Sequence, residues 1–575
     1  MSDRSTSPPI QAPRRKAFIL CFDGTGNKFS GTESDSNILK LYRMLDRSSS
    51  DVYTFYQPGI GTYITSHSMQ TTSLVGRVGS WYSKIKDSAV GSSFAEHVMG
   101  GYRFLMRYYS CEDDLYFFGF SRGAYTARFL AEMLDHIGLL SAGNEELVRF
   151  AWKTYAKWAS RRAQEKEEEA KLYEFVRGFR ETFSRPVRRI RFLGLFDTVN
   201  SVPKFESAWM HRSNFPYTAR SSAKVIRHAV SIDERRAKFR QDLISGDQAQ
   251  HEDRIHPSMH RYNSDLANMN LDYNTAEIHG NWRERLPSHV EVPGYDYNMK
   301  DETDRPIDMD DKSSIHLLHI PSATHRKSDS LAARIDRDMA QQQEKSEPIK
   351  QIKARRRQYS DETHQSQDIE EVWFPGAHAD IGGGWTRSNQ ETWMLSHVPL
   401  VWMVQEAAKA GLEFDPIKMA RANCHPDAVD EYGERSACKE TAKRFYSALS
   451  ESYTGGLIHD SLTAGPCIAK STAMFWTILE YMPFRRMDLQ PDGSWKAISW
   501  PLPMGETRDI PPHAQIHHSA IKRMERNPDY RPGNLIVGGG GRGVRRAPEK
   551  YGMGEWKRHK NHDDLVLETY VRADS

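Results

Sequence analysis

The fold is decided by Leu115-Tyr-Phe-Phe-Gly119-Phe-Ser121-Arg-Gly123-Ala-Tyr-Thr-Ala-Arg128. Its first four residues are apolar and mostly aromatic, which is typical of a strand buried on both faces. Gly119 to Gly123 reads G-x-S-x-G, and an amphipathic run follows it to about Leu140. A strand, a sharp turn and a helix are the context that makes G-x-S-x-G a nucleophile elbow. The stretch predicts that Ser121 stands exposed at a helix N-terminus as a nucleophile. The alternative is a Gly/Ser turn without chemistry.

Apolar runs on both sides of this stretch alternate with helical patterns. Predicted strands cover residues 16–22, 52–56, 189–196 and 372–374, a further apolar element covers 224–232, and predicted helices cover about 35–45, 92–109, 145–183 and 395–410. This alternation predicts an α/β fold with a doubly wound, mostly parallel sheet. Ligands of such sheets bind at the carboxyl ends of the strands, where Asp23, Ser121 and Asp197 fall.

The charge and composition of the chain exclude several classes of function. Among 575 residues, 79 Lys and Arg stand against 76 Asp and Glu, and a net charge of +3 is too small to indicate a nucleic-acid partner. The N-terminal residues lack the apolar core of a signal peptide, and no run reaches the roughly 18 apolar residues of a membrane span. Five scattered cysteines without a CxxC pair indicate reduced thiols and no zinc cluster. We therefore expect a cytoplasmic protein with no metal.

Changes in composition predict the domain organisation. We expect a disordered tail at 1–15, the first part of the catalytic core at 16–240, a polar and partly disordered insertion at 241–370, the second part of the core with helical additions at 371–535, and a polar tail at 536–575. The basic cluster at 353–357 is most simply a solvated linker. The apolar run Ala473–Met482 has basic flanks, so it is either a core helix or a membrane-docking helix.

Five motifs occur in one order along the chain. They are CFDGTGN at 21–27, GFSRGAYTAR at 119–128, FDTV at 196–199, HAVSIDERR at 228–236 and GAHADIGGG at 376–384. Together they resemble the uncharacterised α/β-hydrolase family related to the phospholipase effectors of bacterial type VI secretion, with its Tle1-like catalytic domain. The long polar insertion and polar tails make the chain most similar to the intracellular fungal members. The resemblance covers roughly 16–240 and 372–535, and it implies an α/β-hydrolase-like winding of the sheet.

The resemblance also implies a function and a catalytic site. Ser121 matches the nucleophile of the family, Asp197 its acid and His378 its base, so we expect a serine hydrolase of carboxylic esters that works through an acyl-enzyme. A phospholipase is the narrower expectation. Two positions depart from the family pattern: Ala379 replaces a usual serine, and Phe196 replaces a common tryptophan. Neither change removes an atom of the triad.

Further residues have candidate roles at this site. We expect the oxyanion to be bound by the backbone N–H of Arg122 and by that of Gly24 or Thr25. The side chains of Arg122 and Arg128 either bind a phosphate headgroup or form salt bridges on the helix surface. His459 is the reserve base and Asp233 the reserve acid, Asp380 is a supporting residue or a loop brace, and Asp23 bonds its own loop amides in preference to acting as an acid.

Two other functions remain open from the sequence. Asp23, His378 and Asp380 offer oxygen and nitrogen ligands for a metal-dependent hydrolase. A non-catalytic interaction protein with this fold, using the polar insertion as its surface, is the other alternative. For the leading hypothesis we expect an ester or phospholipid substrate, no cofactor and no nucleic acid, with peripheral membrane contact as an option. The sequence does not define the oligomeric state.

Overall fold

The computed structural model of the protein describes most of the chain outside the long polar insertion. The described residues are 15–59, 89–111, 113–160, 166–199, 221–244, 367–426, 428–429, 435–436, 439–465, 468–481, 486–489, 495–498, 504–539, 541–560 and 564–573. Most of the predicted insertion at 241–370 therefore lies outside the described residues, as do the basic cluster at 353–357 and nearly all of the predicted tail at 1–15.

Within these residues, nine strands form one sheet. They are β1 (Ala17–Phe22), β2 (Val52–Gln57), β3 (Asp114–Phe120), β4 (Phe192–Phe196), β5 (Val225–Ser231), β6 (Asp368–Phe374), β7 (Gln515–His517), β8 (Trp556–Lys560) and β9 (Thr569–Arg572). Their order across the sheet is β8-β9-β7-β6-β5-β4-β3-β1-β2. Neighbours from β2 to β7 pair in parallel, whereas β9 is antiparallel to both β7 and β8. The predicted α/β fold with a mostly parallel sheet is confirmed.

Helices flank the sheet on both faces. They are α1 (Asn37–Met44), α2 (Ala89–Tyr108), α3 (Arg122–Ile137), α4 (Val148–Ser160), α5 (Lys166–Phe183), α6 (His378–Gly382), α7 (His397–Lys409), α8 (Pro416–Arg421), α9 (Lys439–Gly455), α10 (Lys470–Glu480) and α11 (His518–Arg526). Alternate residues of β1 point to opposite faces: Phe18 and Leu20 pack with α2 to α5, while Ile19 packs with α1 and α7. Of the described helices, none is long and apolar enough to cross a membrane.

The strand order places a reversal next to Ser121. The chain runs from β1 outward to β2 and then returns to β3 on the other side of β1. Open parallel sheets bind their ligands beside such a reversal, at the carboxyl ends of the strands. Asp23 follows β1 and Ser121 follows β3, so both lie at this point.

The C-terminal region differs from the predicted polar tail at 536–575. β8 and β9 lie in this range and extend the sheet in antiparallel fashion. β8 reads Trp-Lys-Arg-His-Lys and is largely exposed because it is an edge strand, so it lacks the apolar alternation that predicts a strand. β9 buries Thr569 and Tyr570 against the sheet.

Gly123 allows the start of α3 to lie against the end of β1. A Cβ at this position would be 2.2 Å from the Phe22 carbonyl oxygen and 2.5 Å from that of Asp23. We expect Gly123→Ala to lower the free energy of unfolding by about 1–3 kcal/mol, because backbone atoms must move to relieve the overlap. Urea denaturation of the two proteins measures this difference.

Gly178 provides the matched control for this substitution. It lies in α5, and a Cβ there would meet no atom within 4 Å. We expect Gly178→Ala to raise the free energy of unfolding by up to about 1 kcal/mol, since alanine is the better helix former. Equal effects of the two substitutions would contradict the packing described at Gly123.

Candidate active site

Ser121 occupies the turn between β3 and α3. Its φ of 58° and ψ of −123° lie in a region that residues other than glycine rarely adopt, so the turn holds backbone strain. The Ser121 N–H donates to the Phe196 carbonyl at the end of β4, at 3.0 Å. A Cβ on Gly119 would lie 2.4 Å from the Ala124 Cα, which shows how closely the turn folds on itself. The Ser121 side chain is 4% exposed, whereas the sequence predicts an open position.

His378 is the first residue of α6, just after β6. Its Nε2 lies 2.8 Å from the Ser121 hydroxyl oxygen. Its backbone N–H donates to Glu234 Oε2 at 3.1 Å, which fixes the start of the helix. The imidazole packs against the rings of Phe120 and Phe239, with ring centres 4.8 and 4.7 Å away. These contacts leave the imidazole little freedom to turn away from the hydroxyl.

Asp197 follows β4 and completes the chain of contacts. Its Oδ2 lies 2.5 Å from His378 Nδ1, and its side chain is fully buried. Its φ of 43° is again in the left-handed region. The backbone N–H of Ser231 donates to Asp197 Oδ1 at 2.9 Å. Because a carboxylate can only accept, His378 carries its proton on Nδ1 and accepts from the serine hydroxyl at Nε2.

Arg508 is a member of this site that the sequence analysis missed. Its Nη1 and Nη2 donate to the two oxygens of Asp197 at 2.5 and 2.8 Å, and its side chain is fully buried. The guanidinium also donates to the Phe239 carbonyl. Arg508 is separated from Asp197 by 311 positions and belongs to none of the five motifs. No local pattern could have identified it.

The ionisation of the site follows from this burial and pairing. Burial raises the pKa of Asp197, but the charge of Arg508 and the hydrogen bond from His378 outweigh it, so the pKa lies well below its usual value. Burial lowers the pKa of His378, and this effect exceeds the opposing influence of Asp197. At neutral pH the site therefore holds an ionised carboxylate and a neutral imidazole that can accept a proton.

Of the three candidate oxyanion donors, one already donates to another acceptor. The Gly24 N–H donates to Asp23 Oδ1 at 2.7 Å and is not free for a substrate. The N–H of Arg122 lies in the first turn of α3, directly after Ser121. Thr25 is half-buried in the loop after β1. Arg122 and Thr25 remain the candidates.

The Asp23 carboxylate accepts hydrogen bonds from its own loop and from two neighbouring hydroxyls. Besides the Gly24 amide, its carboxylate accepts from Asn27 Nδ2 at 3.2 Å, from the Ser36 hydroxyl at 2.7 Å and from the Tyr56 hydroxyl at 2.9 Å. Burial raises the pKa of Asp23 despite these donors. The structure does not place its carboxylate in contact with Ser121 or His378.

The reserve base forms a separate pair with Asp380. His459 Nδ1 lies 2.6 Å from Asp380 Oδ1, and the imidazole stacks on Trp385 with ring centres 4.7 Å apart. Asp380 Oδ2 also accepts from the backbone N–H groups of Ala377 and His459. This arrangement braces the glycine-rich loop after His378.

The reserve acid is also engaged elsewhere. Asp233 Oδ2 accepts from the Gly376 N–H at 2.7 Å and from the Tyr530 hydroxyl at 2.9 Å. It thereby connects the end of β5 to the loop that carries His378. Neither reserve residue contacts Ser121.

The ligands suggested for a metal belong to three different networks. Asp23 bonds its loop, Asp380 bonds His459, and His378 lies between Ser121 and Asp197. Across the described parts of the chain, no group of three or more His, Cys, Asp or Glu side chains is arranged to hold a metal ion.

The two arginines suggested for a phosphate headgroup are both buried. Arg128 donates to the Asp242 carbonyl at 2.8 Å and lies 3.5 Å from the Asp242 carboxylate. The charge of Arg128 is therefore paired with a carboxylate inside the fold. Arg122 is 9% exposed. The salt-bridge interpretation therefore fits Arg128, although its partner is a buried residue beyond the helix.

A small aromatic cover lies against the imidazole of His378. Phe239 contacts His378, and Trp476 of α10 meets the Phe239 ring edge-on at 5.4 Å. The guanidinium of Arg236 lies over both rings, 3.6 and 4.6 Å from their centres. Glu480 at the end of α10 accepts from the Ala237 N–H at 2.8 Å. α10 is thus attached to the segment that contacts the imidazole.

A hydroxyl, an imidazole and a carboxylate bonded in series have the geometry found in serine hydrolases on several folds. The model of the type VI secretion phospholipase effector Tle1-like catalytic domain matches residues 16–406, and the chain belongs to this family. The resemblance inferred from the five motifs is confirmed.

Known proteins similar to this chain include one yeast protein and two proteins of solved structure. The uncharacterised protein YEL023C of Saccharomyces cerevisiae is 30% identical over 587 residues. The match covers 93% of this chain and 82% of the yeast protein. An uncharacterised protein from Pseudomonas aeruginosa is 16% identical with a TM-score of 0.30, covering 81% of this chain and 53% of its own. The Tle1 effector bound to the VgrG spike of the type 6 secretion system is 19% identical with a TM-score of 0.22. The match covers 41% of this chain and 49% of the effector chain. The chain spans about half the length of these two solved structures.

Proposed function

We propose that this protein is a serine hydrolase of carboxylic esters and that lipid esters are its substrate class. Membership of the Tle1-like family supports a lipase- or phospholipase-like hydrolase. One observation carries the finer proposal: the buried series from Ser121 through His378 to Asp197, with contacts of 2.8 and 2.5 Å. We also propose the α/β-hydrolase winding of the sheet, supported by the strand–turn–helix around Ser121.

The proposed mechanism begins with proton transfer. His378 Nε2 takes the proton of Ser121 as the hydroxyl oxygen attacks the ester carbonyl. Asp197 stabilises the imidazolium that forms, and Arg508 keeps Asp197 ionised and in position. His378 then returns the proton to the leaving alcohol, which leaves an acyl group on Ser121. Water attacks this acyl-enzyme with the same histidine as base.

The start of α3 favours the charge that develops in this reaction. The carbonyl oxygen becomes negative in the tetrahedral intermediate, and the backbone N–H groups of Arg122 and Thr25 are the proposed donors to it. The positive end of the α3 dipole points to the same place. Loss of one such donor typically lowers kcat by about 10² to 10³-fold.

Covalent labelling tests the nucleophile and the base together. We expect a fluorophosphonate probe to modify the protein at Ser121, as located by peptide mass spectrometry. Because burial lowers the pKa of His378 below its usual value of 6.5, we expect the labelling rate at pH 6.5 to stay above half of its plateau value. It should fall to half only at lower pH, where the imidazole becomes charged and stops accepting a proton. Labelling at another residue, or a rate already halved at pH 6.5, would contradict the proposal.

The outer face of α10 supports a role at a lipid surface. Met474, Ile478 and Tyr481 recur at the spacing of one helix face, and they are 66, 52 and 60% exposed. The inner face carries Trp476, which lies over Phe239. The core-helix interpretation of the run at 473–482 fits the inner face, and we infer that the membrane-docking interpretation fits the outer face. We propose that the exposed face docks on lipid beside the covered site.

We expect Met474→Glu/Ile478→Glu to lower the fraction of protein that co-sediments with phosphatidylcholine vesicles about tenfold or more, since two exposed apolar groups no longer enter the lipid. Turnover of a short, soluble ester should be kept. Tyr446→Glu, at an exposed aromatic on α9, is the matched control and should bind vesicles normally. Unchanged sedimentation of the folded double variant would remove the docking proposal. Phe475 and Trp476 are unsuitable for this test because both are partly buried and Trp476 contacts Phe239.

A further inference from the structure

A second cleft, separate from Ser121, is rich in arginine. Its volume is about 460 Å³, and it is lined by parts of the segment after β5, α11 and the region before β8. Five arginines and three aspartates line it. The arginines are Arg235, Arg523, Arg531, Arg545 and Arg546.

Two of these arginines are held by groups that do not cancel their charge. Arg523 donates to two main-chain carbonyls at 2.7 and 2.8 Å, and Arg531 donates to three at 2.7 to 3.1 Å. Among the described residues, neither guanidinium has a carboxylate within ion-pair distance. Arg523 is 6% exposed, and its Nε is buried with no hydrogen-bond acceptor. Carbonyl contacts orient a guanidinium while its positive charge remains available to an anion.

The carboxylates around the cleft are fewer than its five arginines. Asp460 is shared, with Arg235 at 2.5 Å and Arg545 at 3.1 Å from the same oxygen. Asp233 forms no ion pair with an arginine among the described residues, and it accepts from a backbone N–H and a tyrosine hydroxyl. Arg546 pairs with Asp529 at 2.9 Å and with Glu549 at 3.8 Å, and both carboxylates are more than 80% exposed, where water and salt screen the pairing. The cleft therefore has an excess of positive charge on oriented, partly buried groups.

We propose that this cleft binds an anion that carries phosphate. Arginine forks match the oxygens of phosphate in a bidentate way, and several of them around one cleft fit a group with more than one negative charge. The volume falls within the range of small-molecule sites. A soluble phosphorylated compound and the phosphorylated headgroup of a lipid present the same chemistry to these arginines. This site goes beyond the proposed hydrolysis and does not depend on Ser121.

Isothermal titration of the full-length protein with inorganic pyrophosphate tests the proposal. We expect binding to the wild-type protein and a loss of at least about tenfold in Arg545→Ala/Arg546→Ala, since charge-assisted hydrogen bonds are removed. Both side chains are more than half exposed, so the double variant should fold, as circular dichroism will show. Arg526→Ala removes an exposed arginine of α11 that does not line the cleft, and it should bind like the wild type.

Two further arms identify the source of the phosphate. Vesicles of phosphatidylcholine with and without phosphatidic acid test the lipid headgroup. A rise in retention on adding phosphatidic acid, absent in the double variant, assigns the cleft to a lipid. Pyrophosphate binding without such retention assigns it to a soluble compound. The proposal is overturned if neither probe binds, if the double variant binds both normally, or if citrate binds as tightly as pyrophosphate.

Discussion

Ser121→Ala is expected to lower kcat for ester hydrolysis by about a millionfold and to leave the fold intact. The magnitude is that of removing the nucleophile from a serine–histidine–aspartate enzyme. The alanine has no oxygen to attack the carbonyl, and the small side chain fits the same buried turn. Fluorophosphonate labelling should disappear with the activity. Hydrolysis of a chromogenic ester, followed in parallel with circular dichroism, measures both parts.

Because Ser121 depends on His378 as its base, a comparison of single and double variants is the most decisive test of their roles. Groups that act as a unit show non-additive losses, so we expect His378→Ala to cost nearly as much as Ser121→Ala and the double variant to cost no more. His459→Ala is the matched control, since it removes the other buried histidine of a His–Asp pair. It should keep turnover within about tenfold. Equal losses for the two histidines, or full activity in Ser121→Ala, would contradict the assigned roles.

Arg508→Met is expected to impair both stability and catalysis. It leaves the carboxylate of Asp197 buried with one partner fewer, and breaking a buried ion pair on one side typically costs about 3–5 kcal/mol. We also expect kcat/KM to fall about tenfold to a hundredfold, because Asp197 no longer has a fixed position against His378. Urea denaturation and steady-state kinetics measure the two effects separately.

The pH dependence of stability and of kcat/KM distinguishes whether Arg508 positions Asp197 for catalysis or only stabilises the fold. In the native protein the pKa of Asp197 is lowered, so its ion pair adds stability above the pKa of the unfolded chain, and this stability is lost as the pH falls through the folded pKa. The stability gap between wild type and Arg508→Met should therefore be largest at neutral pH and shrink in acid. Without the competing guanidinium, Asp197 holds the imidazolium more strongly, so the pKa of His378 should rise. The acid limb of kcat/KM should move to higher pH.

Arg508→Lys is the conservative comparison for this site. It keeps a positive charge but cannot donate to both oxygens of Asp197 in a planar fork. We expect the acid limb of kcat/KM to stay close to that of the wild type while kcat falls. An unshifted acid limb in Arg508→Met would show that Arg508 acts only on stability.

Much of the fold was predictable because its signals are local. The strands around Ser121 are short apolar runs, and the start of α1 is capped by the Ser36 hydroxyl, which accepts from the Leu39 N–H. The turns at Ser121 and Gly376 are marked by glycines at the points of closest approach or positive φ. The edge strand β8 escaped prediction since its side chains are mostly in solvent.

The candidate site was predictable only in part. The sequence could place Ser121, Asp197 and His378 at strand ends, but it offered His459 and Asp233 with similar local features. The choice between these residues depends on which strands are neighbours, and that is a property of the whole sheet. Arg508 had no signal, because a single arginine in a polar segment looks like any exposed charge until the chain is folded.

The pairing of β5 with β6 has a consequence for how this protein could be divided. The two strands are adjacent and parallel, yet some 136 positions separate their ends. A cut in the intervening segment would give one polypeptide with the hydroxyl and the carboxylate, and another with the imidazole and the guanidinium. Neither piece alone would hold a working proton relay. Reassembly through the two strands would restore it, so ester cleavage would report complementation between the halves.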